Sequence, residues 1–226
     1  GFYHDDGMIK VITGVRRCGK SCLMQCIAKE LRAEGVDDEH IVFFDLDRYG
    51  YRSVKAPEQL EALIEPLLAV SGTKYLFIDE VQNVEGFENV LNGFRTEGGF
   101  SIFITGSNSY LLSGELATKL TGRYIEFEMQ TLDFGEYCQM KRFSGLPVNP
   151  NPVAEFDAYI LEGGFPKAMD YPQLTDKRAY VAAVIQEIFE KDIRRRVKIK
   201  NVSVFNQLRD YVINNFGATT SLANIQ

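Results

Sequence analysis

Histidine and cysteine are scarce in this chain of 226 residues, which holds two His, four Cys and no C-x-x-C pair. That excludes the usual Cys/His zinc arrangements, since His4 and His40 stand far in sequence from Cys18, Cys22 and Cys26. Those three cysteines, spaced by four, would form a ladder along one helix face. Without ligand partners they read, with Cys138, as free thiols of a reducing cytoplasm. Long apolar runs are missing as well. No stretch approaches the roughly 18 uninterrupted apolar residues of a membrane helix, and no signal peptide opens the chain, so a cytoplasmic protein with no membrane partner is expected. Basic charge is not in excess: 25 Lys+Arg face 31 Asp+Glu, a net charge of −6. A protein that coats nucleic acid indiscriminately is therefore excluded. Internal repeats and low-complexity segments are also absent. Gly1 in place of an initiator Met points to a trimmed fragment.

What is present is an ordinary globular composition, 45% hydrophobic and 25% charged, with chain enough for one large domain or two smaller ones. The charge is uneven. Residues 1–142 carry 15 basic and 22 acidic side chains, whereas residues 143–226 carry 10 and 9, and from Arg194 onward the count is 6 to 1. The acidity belongs to the first two-thirds and the C-terminal end is locally basic.

Strand-like and helix-like segments alternate over the first 130 residues. MIKVIT (8–13), HIVFFDLD (40–47), YLFID (75–79), SIFIT (101–105) and YIEFE (124–128) read as strands. Helical periodicity marks 20–31, 57–70 with a kink at Pro66, and 87–94. Short connections between such segments predict a parallel sheet covered on both sides. FSGLPVNPNP (143–152) reads as a linker. Beyond it the chain is expected to be helical over 155–162, 176–196 and 204–216, with Gly217 closing the last of these. The expected domains are a core over 1–142, a linker over 143–154, a helical lid over 155–200 and an incomplete helix-turn-helix over 201–226. Thr219, Thr220 and Ser221 offer N-caps for its second helix.

Gly14–Ser21 reads GVRRCGKS and matches G-x-x-x-x-G-K-[ST] between a strand and a helix. Glycines let the backbone wind tightly, so that successive N–H groups and the helix N-terminus point at phosphate oxygens. The nucleotide-binding set is Gly14, Val15, Arg16, Arg17, Cys18, Gly19, Lys20, Ser21 and Cys22. Lys20 would reach the β- and γ-phosphates of ATP, and the Ser21 hydroxyl would bind Mg²⁺. In YLFIDE, Asp79 ends a buried strand and is the second candidate Mg²⁺ ligand, while Glu80 can activate water against the γ-phosphate. A GTPase would need N-K-x-D or a close variant, and none occurs. Gln82 either positions water, couples to a neighbour or solvates a turn. The strand ending at Thr105 is followed by Gly106, Ser107 and Asn108. In additional-strand ATPases this strand lies between the phosphate-loop and Asp-Glu strands, with a polar residue at its tip. Ser107 and Asn108 are both candidates for that γ-phosphate contact, and a helix N-cap is the alternative. Arg123 stands either as a finger presented to a neighbouring subunit or as a surface charge. Arg16 and Arg17 either pin phosphate, face a partner or belong to a solvated loop. Adenine contacts are expected around Phe2–Asp6, just ahead of the first strand.

With these residues in hand, the chain resembles the prokaryotic AAA-like ATPases whose phosphate loop reads G-V-R-R-x-G-K-S. Their I-D-E-[IV]-Q, T-G-S-[NS] and G-R motifs correspond to Ile78–Gln82, Thr105–Asn108 and Gly122-Arg123, and the likeness continues through LDFGEY (132–137) and GGFPK (163–167). The resemblance implies an ATP-binding core, a helical lid, a winged-helix segment and a C-terminal domain of unknown function. Cys18 departs from the small residues common at that loop position, and the chain stops before any recognition helix. The fold expected is thus α/β: a parallel five-stranded P-loop NTPase sheet of the additional-strand, AAA-like kind, with a C-terminal helical lid and the start of a winged helix. The expected function is Mg²⁺-dependent ATP hydrolysis coupled to conformational change. The alternatives are a nucleotide-gated switch for DNA or a protein partner, and a small-molecule kinase. DNA would be bound through the winged-helix region, near the basic run Arg194–Lys200, whose other reading is a solvated helix end. A homo-oligomer is a further candidate assembly.

Overall fold

Parallel neighbours need a crossover between them, and between the first four strands the alternation of strand and helix supplies it. In the computed structural model, which describes residues 1–106, 120–193, 199 and 201–215, five strands form one sheet. They are β1 (Ile9–Gly14), β2 (Ile41–Asp45), β3 (Lys74–Asp79), β4 (Phe100–Thr105) and β5 (Tyr124–Met129). Helices α1 (Lys20–Ala33), α2 (Pro57–Ile64) and α3 (Phe87–Glu97) connect them. The order is β2-β3-β4-β1-β5 and every pairing is parallel. β4 therefore lies between β1 and β3, as expected of the strand that ends at Thr105. Its C-terminal end sits level with theirs, Ile12 lying against Thr105 and Ile78 against Ile104.

β1, β3 and β4 are buried along their whole length, which is why they read as near-continuous apolar runs. On one face Val11, Ile78, Ile102 and Ile104 pack with Leu60, Ile64, Phe87 and Leu91 from α2 and α3. On the other, Ile12, Phe77 and Phe103 pack with Met24, Ile27, Ala28 and Leu31 of α1. Phe43, Phe77 and Phe103 stand in register and stack at centroid distances of 4.5 and 4.7 Å. Lys10 ends this row, its Nζ 4.8 Å from the Phe103 centroid. It donates to Met8 O at 3.0 Å, to Ser101 Oγ at 2.9 Å and to the Asp5 carbonyl. Burial lowers its pKa to about 8, against the opposing pull of Asp5 and Asp6.

The expected helix over 57–70 stops at Ile64 and continues as a 3-10 turn over Glu65–Ala69. Pro66 has no N–H for the carbonyl four residues back, so the α pattern ends there. After the sheet come α4 (Phe134–Phe143), α5 (Pro152–Glu162) and α6 (Leu174–Ile188). α4 starts with a capping box in which Asp133 accepts the Glu136 N–H at 2.8 Å and Glu136 accepts the Asp133 N–H at 3.0 Å. α5 begins inside the proline-rich stretch, with Asn151 as its N-cap and Pro152 in its first turn. The LDFGEY and GGFPK segments meet directly, since Leu132 N–H donates to Gly164 O at 2.8 Å. A Cβ on Gly164 would stand 2.4 Å from Leu132 O, so only glycine permits this approach.

By its internal contacts the chain divides into two units, Gly1–Ile185 and Gln186–Gln226, the boundary falling within α6. In the second, α7 (Val202–Asn214) is capped by Asn201, whose side chain accepts from Ser203 N and Val204 N at 3.0 and 3.2 Å. Phe189 and Phe205 meet edge-on at 6.0 Å. Gly217, the expected caps Thr219–Ser221 and all of the basic run except Ile199 lie outside the described residues.

Glu155, in the first turn of α5, is 3% exposed and bonded to Lys141 Nζ at 2.5 Å and Asn149 N–H at 2.6 Å. Burial alone would raise its carboxyl, but those two bonds together with the charges of Lys141 and Arg142 outweigh it and hold the group below its usual value of 4.5. A depressed carboxylate stabilises the fold above its unfolded pKa, and that contribution is lost as pH falls through the folded one. In urea titrations the stability difference between the wild-type protein and Glu155→Gln should therefore hold constant from pH 7 to about 4.5 and shrink below it. A difference that does not change with pH would contradict the assignment.

Candidate nucleotide-binding site

The phosphate loop is shaped by three residues at positive φ: Gly14 (143°), Arg17 (65°) and Gly19 (115°). Gly14 is required for a second reason, because a Cβ there would lie 2.2 Å from the Met129 carbonyl on neighbouring β5. Cys18 fills the space beneath the loop, 3% exposed, and burial raises its thiol pKa. The smallness asked of that position is thus met by a thiol. All four cysteines are free, with Cys22 and Cys26 exposed on α1. α1 opens at Gly19 with no side-chain cap and no acid in its first turn, so its N–H groups and positive dipole end remain available to an anion. Lys20 is buried, and its Nζ donates to Gly14 O at 2.9 Å and Val15 O at 3.1 Å. Ser21 follows it, exposed at the same helix start.

Asp79 and Glu80 lie where β3 ends. Thr105, fully buried at the end of β4, donates through Oγ1 to Asp79 Oδ1 and accepts the Glu80 N–H at 3.2 Å. Glu80 has φ 57° and ψ 45°, a left-handed conformation that costs a non-glycine residue about 1 kcal/mol. Three bonds hold it there: the one to Thr105, Asn83 N–H to Glu80 O at 3.0 Å, and Gln82 Nε2 to Glu80 Oε2. Burial raises the Glu80 pKa, the Gln82 bond and the charges of Arg16 and Lys20 oppose that rise, and Asp79 reinforces it; the net shift is upward. The structure thereby brings Lys20, Arg16, Asp79 and Glu80 into one field. The charge of Arg17 acts on Tyr180 of α6, whose hydroxyl is buried without a hydrogen-bond partner.

Arg123 is exposed in the turn before β5, where its carbonyl accepts Ile9 N–H at 2.9 Å. That is the start of β1, about 17 Å of strand from Gly14 at about 3.3 Å per residue, so Arg123 does not join the loop of its own chain. The Phe2–Asp6 segment, expected at the adenine, is taken up by the sheet. Phe2 packs on Phe127 at 6.1 Å, Ser101 Oγ donates to Tyr3 O at 2.5 Å, and His4 Nδ1 meets Tyr75 OH at 2.7 Å, near the strand starts. Ser107 and Asn108 lie outside the described residues. Thr105 was not singled out from the sequence, although the pairing of Ile78 with Ile104 places the next residue of each strand side by side.

Residues 6–138, more than half of the chain, match the family model described as an AAA domain, and residues 153–226 match a domain of unknown function, DUF8612. The chain belongs to the AAA domain family. An uncharacterized protein of Haemophilus influenzae is 33% identical over 227 residues, covering 99% of this chain and 55% of that protein. One from Methanocaldococcus jannaschii is also 33% identical over 227 residues, covering 96% and 49%. The chain thus spans about half the length of the curated relatives it matches. Similar solved structures include AMPPCP-bound DnaA from Aquifex aeolicus, with TM-score 0.45, 15% identity, and 96% of this chain and 69% of that one covered. C. elegans PCH-2 has TM-score 0.45 and 17% identity, with 60% and 39% covered. No helix among the described residues is long and apolar enough to cross a membrane.

Thr105→Val keeps the shape of the side chain and removes both of its hydrogen bonds, leaving a buried carboxylate oxygen and an N–H without partners. It should destabilise the protein by about 1–3 kcal/mol in urea unfolding. A loss below about 0.5 kcal/mol would mean that the hydroxyl does not hold this junction.

Proposed function

We propose that this protein binds ATP with Mg²⁺ and hydrolyses it. Membership of the AAA domain family supports a nucleotide-binding, ATPase-like function. The observation that carries the finer reading is the meeting of two halves: a phosphate loop with a buried lysine, and a strand end where a carboxylate pair is held by Thr105.

The loop N–H groups and Lys20 bind the phosphates, Lys20 exchanging its two carbonyl partners for phosphate oxygens. Ser21 and Asp79 would hold Mg²⁺, and this donor set fits the ion: a hydroxyl and a carboxylate are hard oxygen ligands, with Thr105 bonded to one Asp79 oxygen and the other left to coordinate. When bound, the ion neutralises charge on the β- and γ-phosphate oxygens. Glu80 takes the proton of the attacking water. Its raised pKa makes it a better proton acceptor than an ordinary exposed carboxylate. Arg16, near Glu80, contributes positive charge where the γ-phosphate develops negative charge. The helices after the sheet act as a lid, and Tyr180 gives the lid a polar group near Arg17 of the loop. Arg123, remote from the loop of its own chain, is assigned to the nucleotide of a second copy.

Lys20→Ala should abolish binding of a fluorescent ATP analogue, while Glu80→Gln should bind it as the wild type does and lose turnover by roughly two to four orders of magnitude. Phosphate release by Glu80→Gln at the wild-type rate would show that Glu80 is not the base.

A further inference from the structure

Gln82 lies two residues past the proposed base, and the proposed mechanism gives it no part in the chemistry beyond its bond to Glu80. Its surroundings suit a residue that holds another in place. It sits on the 3-10 turn Val81–Asn83, which is clamped from three sides. Val81 and Val84 are fully buried, Val84 N–H donates to Val81 O at 3.1 Å, and Asn83 Nδ2 donates to Asp47 Oδ1 at 2.8 Å. From this turn Gln82 Nε2 donates to Glu80 Oε2. The other end of the same amide, Oε1, is shielded from solvent and has no hydrogen-bond partner. A buried acceptor left in that state is costly, and such groups in native proteins call for an explanation.

Hydrolysis provides one. Water attacking the γ-phosphorus has two O–H bonds. One proton goes to the Glu80 carboxylate as the new O–P bond forms, and the bond from phosphorus to the β,γ-bridging oxygen breaks, its electron pair leaving with ADP. The second O–H stays on the product phosphate and needs an acceptor while the water is aligned. An amide bonded to Glu80 through its nitrogen carries its oxygen only one amide group away from that carboxylate. We propose that Gln82 is a positioning residue for hydrolysis: Nε2 fixes the Glu80 carboxylate, and Oε1 accepts the second hydrogen of the attacking water. This rests on the ATPase reading above.

The test is steady-state phosphate release and fluorescent-ATP binding by the wild-type protein, Gln82→Ala, the isosteric Gln82→Glu, Glu80→Gln and the double variant Gln82→Ala/Glu80→Gln. Misplacing a catalytic group by about an ångström costs up to about a hundredfold, so both Gln82 variants should lose about 10- to 100-fold in kcat. Their ATP affinity should stay within about twofold, which a general loss of structure would not allow. In the Glu80→Gln background Gln82→Ala should cost less than it does in the wild-type protein, because the part of its effect that runs through the Glu80 carboxylate is already lost and only the Oε1 contact to water remains. Wild-type kcat in Gln82→Ala, a higher kcat, or a loss that multiplies with that of Glu80→Gln would overturn the inference while leaving the ATPase reading intact. A wild-type protein that binds ATP and releases no phosphate would overturn both.

Discussion

A single hydroxyl bridges the ends of two neighbouring strands: Thr105 on β4 donates to the Asp79 carboxylate and accepts the Glu80 N–H. The bridge exists only because β4 is inserted between β1 and β3, which brings three strand ends to one level. With Thr105 fixed by burial, Asp79 is aimed and the chain turns sharply into the left-handed conformation of Glu80. That turn throws the Glu80 side chain into the field of Lys20 and Arg16 instead of continuing along the strand. Backbone strain at Glu80 is thereby tied to placement of its carboxylate, and the bonds from Thr105, Asn83 and Gln82 offset it.

Charge is apportioned around this junction. Glu80 is pushed up by burial and by Asp79, and held back by Gln82, Arg16 and Lys20. Lys20 rests on two loop carbonyls, so its ammonium is desolvated but never without acceptors. The adjacent arginines of the loop divide their work, Arg16 acting on Glu80 and Arg17 on Tyr180.

The sheet was largely legible in the sequence because buried parallel strands leave uninterrupted apolar runs, and because GVRRCGKS places one strand and one helix by itself. The loop, Asp79 and Glu80 were legible for the same reason: local motifs carry them. What stayed hidden depends on pairing across the sheet. Thr105 looks like any strand threonine until its register with β3 is known. Lys10 passes as a polar interruption of an apolar run, yet it is buried at the end of an aromatic row from three strands. α4 lacks a clean apolar stripe, and the signal that could have found it is the Asp133/Glu136 capping box. The adenine contacts expected around Phe2–Asp6 rested on position alone; in the structure Tyr3 packs on the α1 side of the sheet and Phe2 stays half exposed against Phe127.

The central claim is that this constellation cleaves the nucleotide it binds. The most direct measurement is phosphate release from ATP by the wild-type protein, with Mg²⁺ and then with the divalent ions chelated, alongside ATP binding under the same conditions. Multiple-turnover release that requires Mg²⁺ is the result predicted. ATP binding with no phosphate released in Mg²⁺ would contradict the account and leave a nucleotide-gated switch in its place.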